Sequence, residues 1–365
     1  MNMLPNGFEK TTSSERAAEQ VLARAFGAAA ERNGYDPVVV SALYPIAESF
    51  FGTDNRYKLI DREGDCLCLL EDPVTGLLNA VEPGLNRVYA YAETYRYRGR
   101  ERNRRACSAL LTGVAGLEAE AEMVLLALDV AKEFNVPDAK VVIGSSYIWQ
   151  GLAETYFGYR PDVATIRAWL DSRPKTDAEA AMFSVIEEVK KLRGGMETVR
   201  AATEILTNRV SGVGLKNVID FYDVLCGCGL ENKVEIDLSV VGRDFDCGNV
   251  FEIRDDKDTV LLSGGRHDFA DGSNTVRAVS LSMSPKEVLR AYRVTGTAKN
   301  VVVGVSDGII PLNAAYTLRE NFISAGVTAV LLYRADKEGT KAYADAYDVE
   351  SAVFVDADGK YEAVK

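Results

Sequence analysis

The stretch YAYAETYRYRGRERNRRAC, residues 89–107, decides how this chain is read. Arg96, Arg98, Arg100, Arg102 and Arg104 fill every second position, while Tyr89, Tyr91, Tyr95 and Tyr97 hold the other parity. In a strand, a period of two sends alternate side chains to opposite faces. Gly99 is a turn position, so the ladder need not be one straight row. In either arrangement several guanidiniums converge, and arginine grips phosphate or carboxylate through a planar fork. Two readings stay open. The arginines either meet surface carboxylates on a solvated strand pair, or they face an anionic ligand or partner. The spacing does not name the anion.

The composition frames this local basic site. The chain has 365 residues, 47% of them hydrophobic and 26% charged, which implies two or three soluble domains with a sizeable core. The formal net charge of −12 argues against broad, nonspecific nucleic-acid binding. No apolar run approaches the ~20 residues of a membrane span. The opening MNMLPNGFEKTTSSERAAEQ lacks the apolar core of a signal peptide, so a cytoplasmic location is expected. Cys66, Cys68, Cys107, Cys226, Cys228 and Cys247 include C-L-C and C-G-C spacings rather than C-x-x-C. With a single histidine, His267, the chain offers no zinc site and implies no cofactor. The six cysteines read as reduced, mostly packed thiols.

Along the chain, residues 14–33 read as an amphipathic helix capped by Ser13 or Ser14 and ended by Gly34. YDPVVVSAL is strand-like, and YKLID and DCLCLLED form a hairpin across REG. Residues 117–134 are helical, with Glu118, Glu120 and Glu122 as a solvated first turn, and AKVVIGSS is a strand. From Asp162 to about Gly227 the pattern is helical, broken at Arg173–Pro174, Gly194–Gly195 and Gly212–Gly214. SGVGLKN, 211–217, lacks the third glycine of a dinucleotide fingerprint and reads as a loop. KVEIDLSVVG, NVFEIRD and DTVLLSGG read as antiparallel strands, and SPKEVLRAYR as a helix. From Lys299 onward strands and helices alternate, the pattern of a small parallel α/β sheet. The predicted fold is thus an α+β domain, 1–296, on a mainly antiparallel sheet with a helical insertion at about 162–227, followed by an α/β domain, 299–365. Trp149 and Trp169 read as core or dimer-contact residues.

The order of these segments resembles the histidyl-tRNA synthetase family of class II synthetases over nearly the whole chain. LPNGFEK and GYDPVVVSALYPIAESFF resemble the family's start, and YKLIDREGDCLCLLEDPVTG its strand pair ending in L-R-P-E-x-T. ETYRYRGRERNRR resembles motif 2, GLEAEAEMVLLAL the A-D-A-E helix, VVGRDFDCGNVFEI the R-G-L-D-Y-Y-T-G-I-V-F-E segment, and SGGRHDF the G-G-R-Y-D segment. The resemblance implies a class II sheet with flanking helices, a shortened anticodon-binding-like C-terminal domain, and a homodimer.

The departures bear on function. Arg96 stands at the α-phosphate arginine of motif 2, but Arg98 replaces its glutamate. In L-R-P-E-x-T the arginine has become Glu71 and the glutamate Pro73, leaving Thr75. Ala106 and Leu110 align with the glutamine and glutamate of the histidine pocket, Val241 with the arginine of R-G-L-D-Y-Y, and Asp246 with its second tyrosine. Glu287 falls where the motif 3 arginine is expected. Arginines aimed at the α-phosphate stabilise the transition state of adenylation, and losing one such donor costs about 3–4 kcal/mol. His267 takes the place of a tyrosine after two glycines; it either lines an altered pocket or packs in place of the aromatic ring. Asp244, Asp246 and Glu252 either bind a cation or amine or form a solvated strand face.

The resemblance then implies a non-catalytic relative, most like the regulatory subunits of ATP phosphoribosyltransferase in histidine biosynthesis. Those form a dimer that joins a short catalytic subunit and takes part in feedback inhibition by histidine. The altered pocket would comprise Thr75, Arg96, Arg98, Asp246, Arg266 and His267, with histidine or a phosphate-bearing molecule as ligand. Arg100, Arg102 and Arg104 would meet a partner or anion. Two other readings are a divergent class II synthetase or amino-acid ligase, and a tRNA-binding protein without catalysis. The C-terminal basic residues are diluted by acids, and the chain has no aromatic–basic base-stacking motif.

Overall fold

The computed structural model describes all residues except 1–3, 9–10, 46–55, 98–100, 137, 162, 164, 167–175, 244–245, 272–273, 292–299 and 348. The arginine-rich stretch forms one hairpin. Strand β5 (Asn86–Tyr95) pairs antiparallel with β6 (Asn103–Thr112), with Thr94 opposite Arg104 and Ala90 opposite Ser108. Beyond the strand ends, Arg96 N donates to Arg102 O. The turn around Gly99 lies outside the described residues.

This hairpin belongs to a nine-stranded sheet. Its other strands are β1 (Asp36–Pro37), β7 (Lys140–Ser145), β8 (Arg193–Gly194), β9 (Val234–Asp237), β10 (Asn249–Arg254), β11 (Val260–Asp271) and β12 (Asn274–Met283). The order is β1-β5-β6-β12-β11-β10-β7-β9-β8. The five ladders from β5 to β7 are antiparallel, while β1 joins β5 and β9 joins β7 in parallel. The strand expected over 35–43 shrinks to β1 and to β2 (Leu43–Pro45). Pro37 has no N–H to continue a ladder. The hairpin across REG is present as β3 (Lys58–Ile60) and β4 (Cys66–Leu69), which form a separate three-stranded sheet with β2. β9 does not pair with β10, as the sequence suggested; β7 lies between them.

The helices follow their caps and packing. α1 (Ser13–Arg32) opens with a capping box at Thr12, not at Ser13 or Ser14. Glu15 N donates to Thr12 Oγ1, and Thr12 N donates to the Glu15 carboxylate. Gly34, at φ 81°, ends it. α2 (Pro73–Asn79) was not anticipated: it is short and buried all round, so it shows no amphipathic period. Asp72 caps it, accepting from Val74 N at 2.9 Å, with Pro73 in the first turn. Its Val74, Leu77 and Leu78 pack on Val88, Ala90 and Leu110 of the hairpin. α3 (Glu118–Glu133) lies against β10, β11 and β12.

α4 (Ser146–Phe157) was also missed. It is followed by α5 (Asp177–Val189), α6 (Met196–Ile205) and α7 (Arg209–Gly227). The break expected at Arg173–Pro174 lies outside the described residues. The break and loop expected around Gly212–Gly214 are absent, for α7 runs straight through SGVGLKN. The need there is for space. A Cβ on Gly214 would stand 2.8 Å from Ile148 N, and one on Gly151 would stand 2.3 Å from Ser211 N. These glycines let α4 and α7 approach backbone to backbone.

The chain divides into two compact units, Met1–Thr11 with Leu22–Arg293, and Thr12–Val21 with Val294–Lys365. α8 (Pro285–Ala291) belongs to the first. In the second, β13 (Val301–Val305), β14 (Ala329–Tyr333) and β15 (Ser351–Val355) are parallel, and β16 (Tyr361–Ala363) adds an antiparallel edge. α9 (Ile309–Ser324) covers one core through Ala315 and Phe322, and α10 (Lys337–Ala346) another through Ala344. Among the described residues no helix is long and apolar enough to cross a membrane.

Candidate functional site

The pairing register assigns side chains to the two faces of the large sheet. Directly paired residues share a face, and so do residues two apart. Thr94, Arg104, Ser108, Leu110, Ser282, Ser280, Ser263, His267 and Glu252 fall on one face. Arg266, Val279 and Leu281 fall on the other, toward α3.

On the first face a polar chain runs through the sheet. Asp237, at the end of β9, accepts from Ser239 N at 2.9 Å and from Ser239 Oγ at 2.5 Å, which turns the chain out of the strand. The returning loop carries Arg243 and Asp246. Arg243 Nη2 donates to Asp246 Oδ1 at 2.9 Å and Nε to Oδ2 at 3.1 Å, while the Arg243 backbone N–H reaches Oδ2 at 2.7 Å. The same guanidinium donates to Ser280 Oγ at 2.8 Å and Ser282 Oγ at 3.0 Å, and Ser282 meets Ser108 at 2.8 Å. Asp246, Ser108 and Ser280 are buried, so this network is screened from water and electrostatically strong.

His267 is 1% exposed, with Nδ1 3.9 Å from Asp246 Oδ1. Burial, and next the charge of Arg243, hold its imidazole well below the usual histidine value. It is therefore neutral at pH 7 and packed in the sheet. The two glycines before it are required by close approach. A Cβ on Gly264 would stand 2.2 Å from the Phe251 ring, and one on Gly265 would stand 2.9 Å from Asp246 Cγ.

A cavity of about 510 Å³ opens beside this network, lined among others by Arg243, Asp246, Glu252, Arg254, Ser263 and Glu287. Its second arginine is also engaged. Arg254 binds Glu252 at 2.6 Å, Asp237 at 3.3 Å and Asp258 at 3.2 Å. Asp258 in turn joins Arg193 of β8 at 2.6 Å. The hydrogen bonds from Arg193, and then those from Arg254, lower the Asp258 carboxyl to about 2.

The residues singled out in the sequence occupy four environments. Thr75 is fully buried in α2, its hydroxyl without a hydrogen bond among the described residues. Arg96 and Arg104 share the site face, near Asp72 at 4.0 Å and Glu287 at 3.6 Å respectively. Arg102 turns to Tyr97, its guanidinium 5.8 Å from the ring centroid, and its backbone N–H donates to Gly7 O. Arg98, Arg100 and Asp244 lie outside the described residues. Arg266 is on the helix face, where it grips Glu120 through 2.7 and 2.5 Å hydrogen bonds and also donates to Val114 O and Gly116 O.

Two expectations of solvated acids are corrected by these contacts. Glu120 is buried on Arg266, and Glu122 takes Arg87 and the Tyr35 hydroxyl. Asp246 is 2% exposed on Arg243, and Glu252 is half-buried on Arg254. The helix dipole suits the first-turn glutamates, but their arginine partners decide the burial. Trp149 is core; Trp169 lies outside the described residues. All six cysteines are free thiols. Sequence reasoning missed Arg243, two positions beyond the Val241 that aligns with the family arginine. It also missed Ser108, Ser280 and Ser282. The signal was the polar alternation in VSLSM, which places two serines on one side of an otherwise apolar strand.

A mainly antiparallel sheet with α3 on one face and, beside α2, a polar site on the other, followed in the chain by a short α/β unit, is the class II aminoacyl-tRNA synthetase-like fold. The sequence profile described as "Histidyl-tRNA synthetase" matches residues 7–288. The chain belongs to the histidyl-tRNA synthetase family. Relatives include proteins named "ATP phosphoribosyltransferase regulatory subunit". That of Halothermothrix orenii is 25% identical over 258 residues, 64% of this chain and 62% of the relative's length. That of Clostridium novyi is 22% identical over 342 residues, 86% of this chain and 80% of the relative. Among solved structures, histidyl-tRNA synthetase from Nostoc sp. PCC 7120 superposes with a TM-score of 0.73 at 16% identity, covering 100% of this chain and 96% of that one. An "ATP phosphoribosyltransferase regulatory subunit/histidyl-tRNA synthetase" from Bacillus halodurans C gives 0.69 at 19% identity, covering 97% and 98%.

Proposed function

We propose that this chain is a non-catalytic member of the family that serves as the regulatory subunit of ATP phosphoribosyltransferase in histidine biosynthesis, as a cytoplasmic homodimer joined to a short catalytic subunit. The names of its relatives support the reading. The observation that carries it is the neutralisation of Arg243. This guanidinium lines the cavity, yet Asp246 and two serines hold it, so it is not available to a phosphate. Glu287 adds a carboxylate to the same wall. Adenylation builds negative charge and requires free donors aimed at it. Leu110, where the family pocket has glutamate, lies in the apolar cluster beneath α2, which removes a polar contact to histidine.

On this reading the 1–296 region supplies the scaffold for assembly and 299–365 an appended domain. Asp246 would belong to a remodelled pocket, Thr75 and His267 would pack behind it, and the arginines of the hairpin would belong to an anion or partner contact. The test is reconstitution. Mixing the chain with a short ATP phosphoribosyltransferase subunit should raise its activity and confer inhibition by histidine, and the chain alone should give no ATP–pyrophosphate exchange with any amino acid. Robust exchange would instead make it a divergent synthetase or ligase.

A further inference from the structure

The second unit leaves one edge of its sheet open. Among the described residues no strand pairs with the outer side of β14, which ends the order β14-β13-β15-β16. Its residues, AVLLY, include no charge and no proline, the usual guards of a free edge. Val330, Leu331 and Leu332 are half-buried and Tyr333 is exposed. α9 continues this edge in the layer above. Its Tyr316, Arg319, Glu320 and Ile323 recur at the spacing of one helical face, with Tyr316 and Ile323 exposed at the two ends. The Tyr316 hydroxyl lies 3.3 Å from that of Tyr333, and the charge of Arg319 is felt at the same tyrosine, so this face stands beside β14. α9 runs antiparallel to β14, joined to it by the turn in which Val327 N donates to Phe322 O.

We propose that this surface docks on itself: a second copy of the chain pairs its β14 antiparallel with this one about a two-fold axis, joining two four-stranded sheets into one. The helical face is self-complementary under that operation. An axis midway between Arg319 and Glu320 sets Arg319 against the partner's Glu320 and Tyr316 against the partner's Ile323, and each contact occurs twice. Opposite charges then face each other at the centre and apolar side chains at both ends. In one chain Arg319 donates to its neighbour Glu320 at 2.6 Å; across the axis the two pairs close into a ring of four charges. The strand has the same symmetry. Centred on Leu331, it sets Val330 opposite the partner's Leu332 and Ala329 opposite the partner's Tyr333. The two centres coincide. Half of the helical face spans about 5 Å of α9 at ~1.5 Å per residue. The same distance back from Tyr333, at ~3.3 Å per residue of strand, reaches Leu331 or Leu332. One axis therefore serves both elements. An extended peptide of unrelated sequence would satisfy the strand edge but not the charge ring. The contact lies wholly within the second unit and does not depend on the regulatory reading.

The test is the mass of the full chain in solution, read by sedimentation equilibrium across micromolar concentrations. The wild type should have about twice the mass of Arg319→Glu and of Ile323→Lys, whatever contacts the first unit makes. Arg319→Glu sets carboxylate against carboxylate at two places and should weaken the association about tenfold or more. Adding Glu320→Arg to Arg319→Glu exchanges the charges and should restore the wild-type mass. Circular dichroism checks that each variant is folded. Equal masses for the wild type and both single variants at every concentration would overturn the docking. Single variants that halve the mass, with no recovery in the exchanged pair, would overturn the charge register. Because the measurement uses this chain alone, its failure is separate from a failure to activate a catalytic subunit.

Discussion

Replacing Arg243 by methionine should strand Asp246 and shift the titration of the only histidine in the chain. Arg243 and Asp246 have side chains 13% and 1% exposed, joined by two charged hydrogen bonds. Without the guanidinium, Asp246 keeps the Arg243 backbone N–H, and the hydroxyls of Ser280 and Ser282 lose a donor. Breaking one half of such a buried pair costs about 3–5 kcal/mol. His267 lies 3.9 Å from Asp246 and is held well below 6.5 by burial and by Arg243. In the wild type the unfolded chain therefore gains a proton before the folded one does, so His267 lowers stability as pH falls below about 6.5. In Arg243→Met the repelling cation is gone and the carboxylate stays. The folded value rises, but burial, the larger cause, still holds it down, so the penalty His267 imposes at low pH shrinks without changing sign. Carbon-13 labelling of the imidazole gives one resonance to titrate. Urea unfolding followed by tryptophan fluorescence reads the first unit, which contains both tryptophans. The loss should be largest near pH 8 and smaller near pH 5.5. A histidine resonance that titrates as in the wild type, with a stability loss under about 1 kcal/mol, would refute the reasoning.

Three further outcomes are expected. Gly214→Ala should destabilise the first unit by about 1–3 kcal/mol through overpacking against Ile148. Gly212→Ala, with nothing within 4 Å of its Cβ, should stabilise α7 by about 0.5–1 kcal/mol, and the two urea midpoints should move in opposite directions. Arg266→Met should cost about 3–5 kcal/mol by isolating buried Glu120, and Arg266→Met with Glu120→Leu should recover most of it, which a double-mutant cycle reads. Asp258 has a depressed carboxyl, so its contribution is complete above about pH 4 and fades as pH falls through about 2; Asp258→Asn should remove that acid-limb dependence. Its side chain is 49% exposed, so the loss at pH 7 should stay below about 1 kcal/mol.

Elements with a repeating pattern were legible in the sequence. The hairpin of 86–112, the helices α1 and α3 and the alternating last unit each repeat their period several times. α2 and α4 were concealed, because a helix buried on most sides has no polar stripe. The glycines of α7 misled, because a glycine that permits helix contact looks the same as one that ends a helix. The site was legible where the residue keeps its family position, as with Arg96 and Asp246. It was hidden where the partner arrives from elsewhere. Arg243 stands two residues from the expected arginine, and its serines lie on β12, some 40 residues later. The burial of Glu120 was equally invisible, since its arginine is 146 residues away.

Alternation in the large sheet has a final consequence. Val279 and Leu281 hold α3 from behind, while their neighbours Ser280 and Ser282 take part in the Arg243 network in front. A strand of this kind is two independent texts interleaved letter by letter. One can be rewritten, charge for charge, while the other still says how the protein folds.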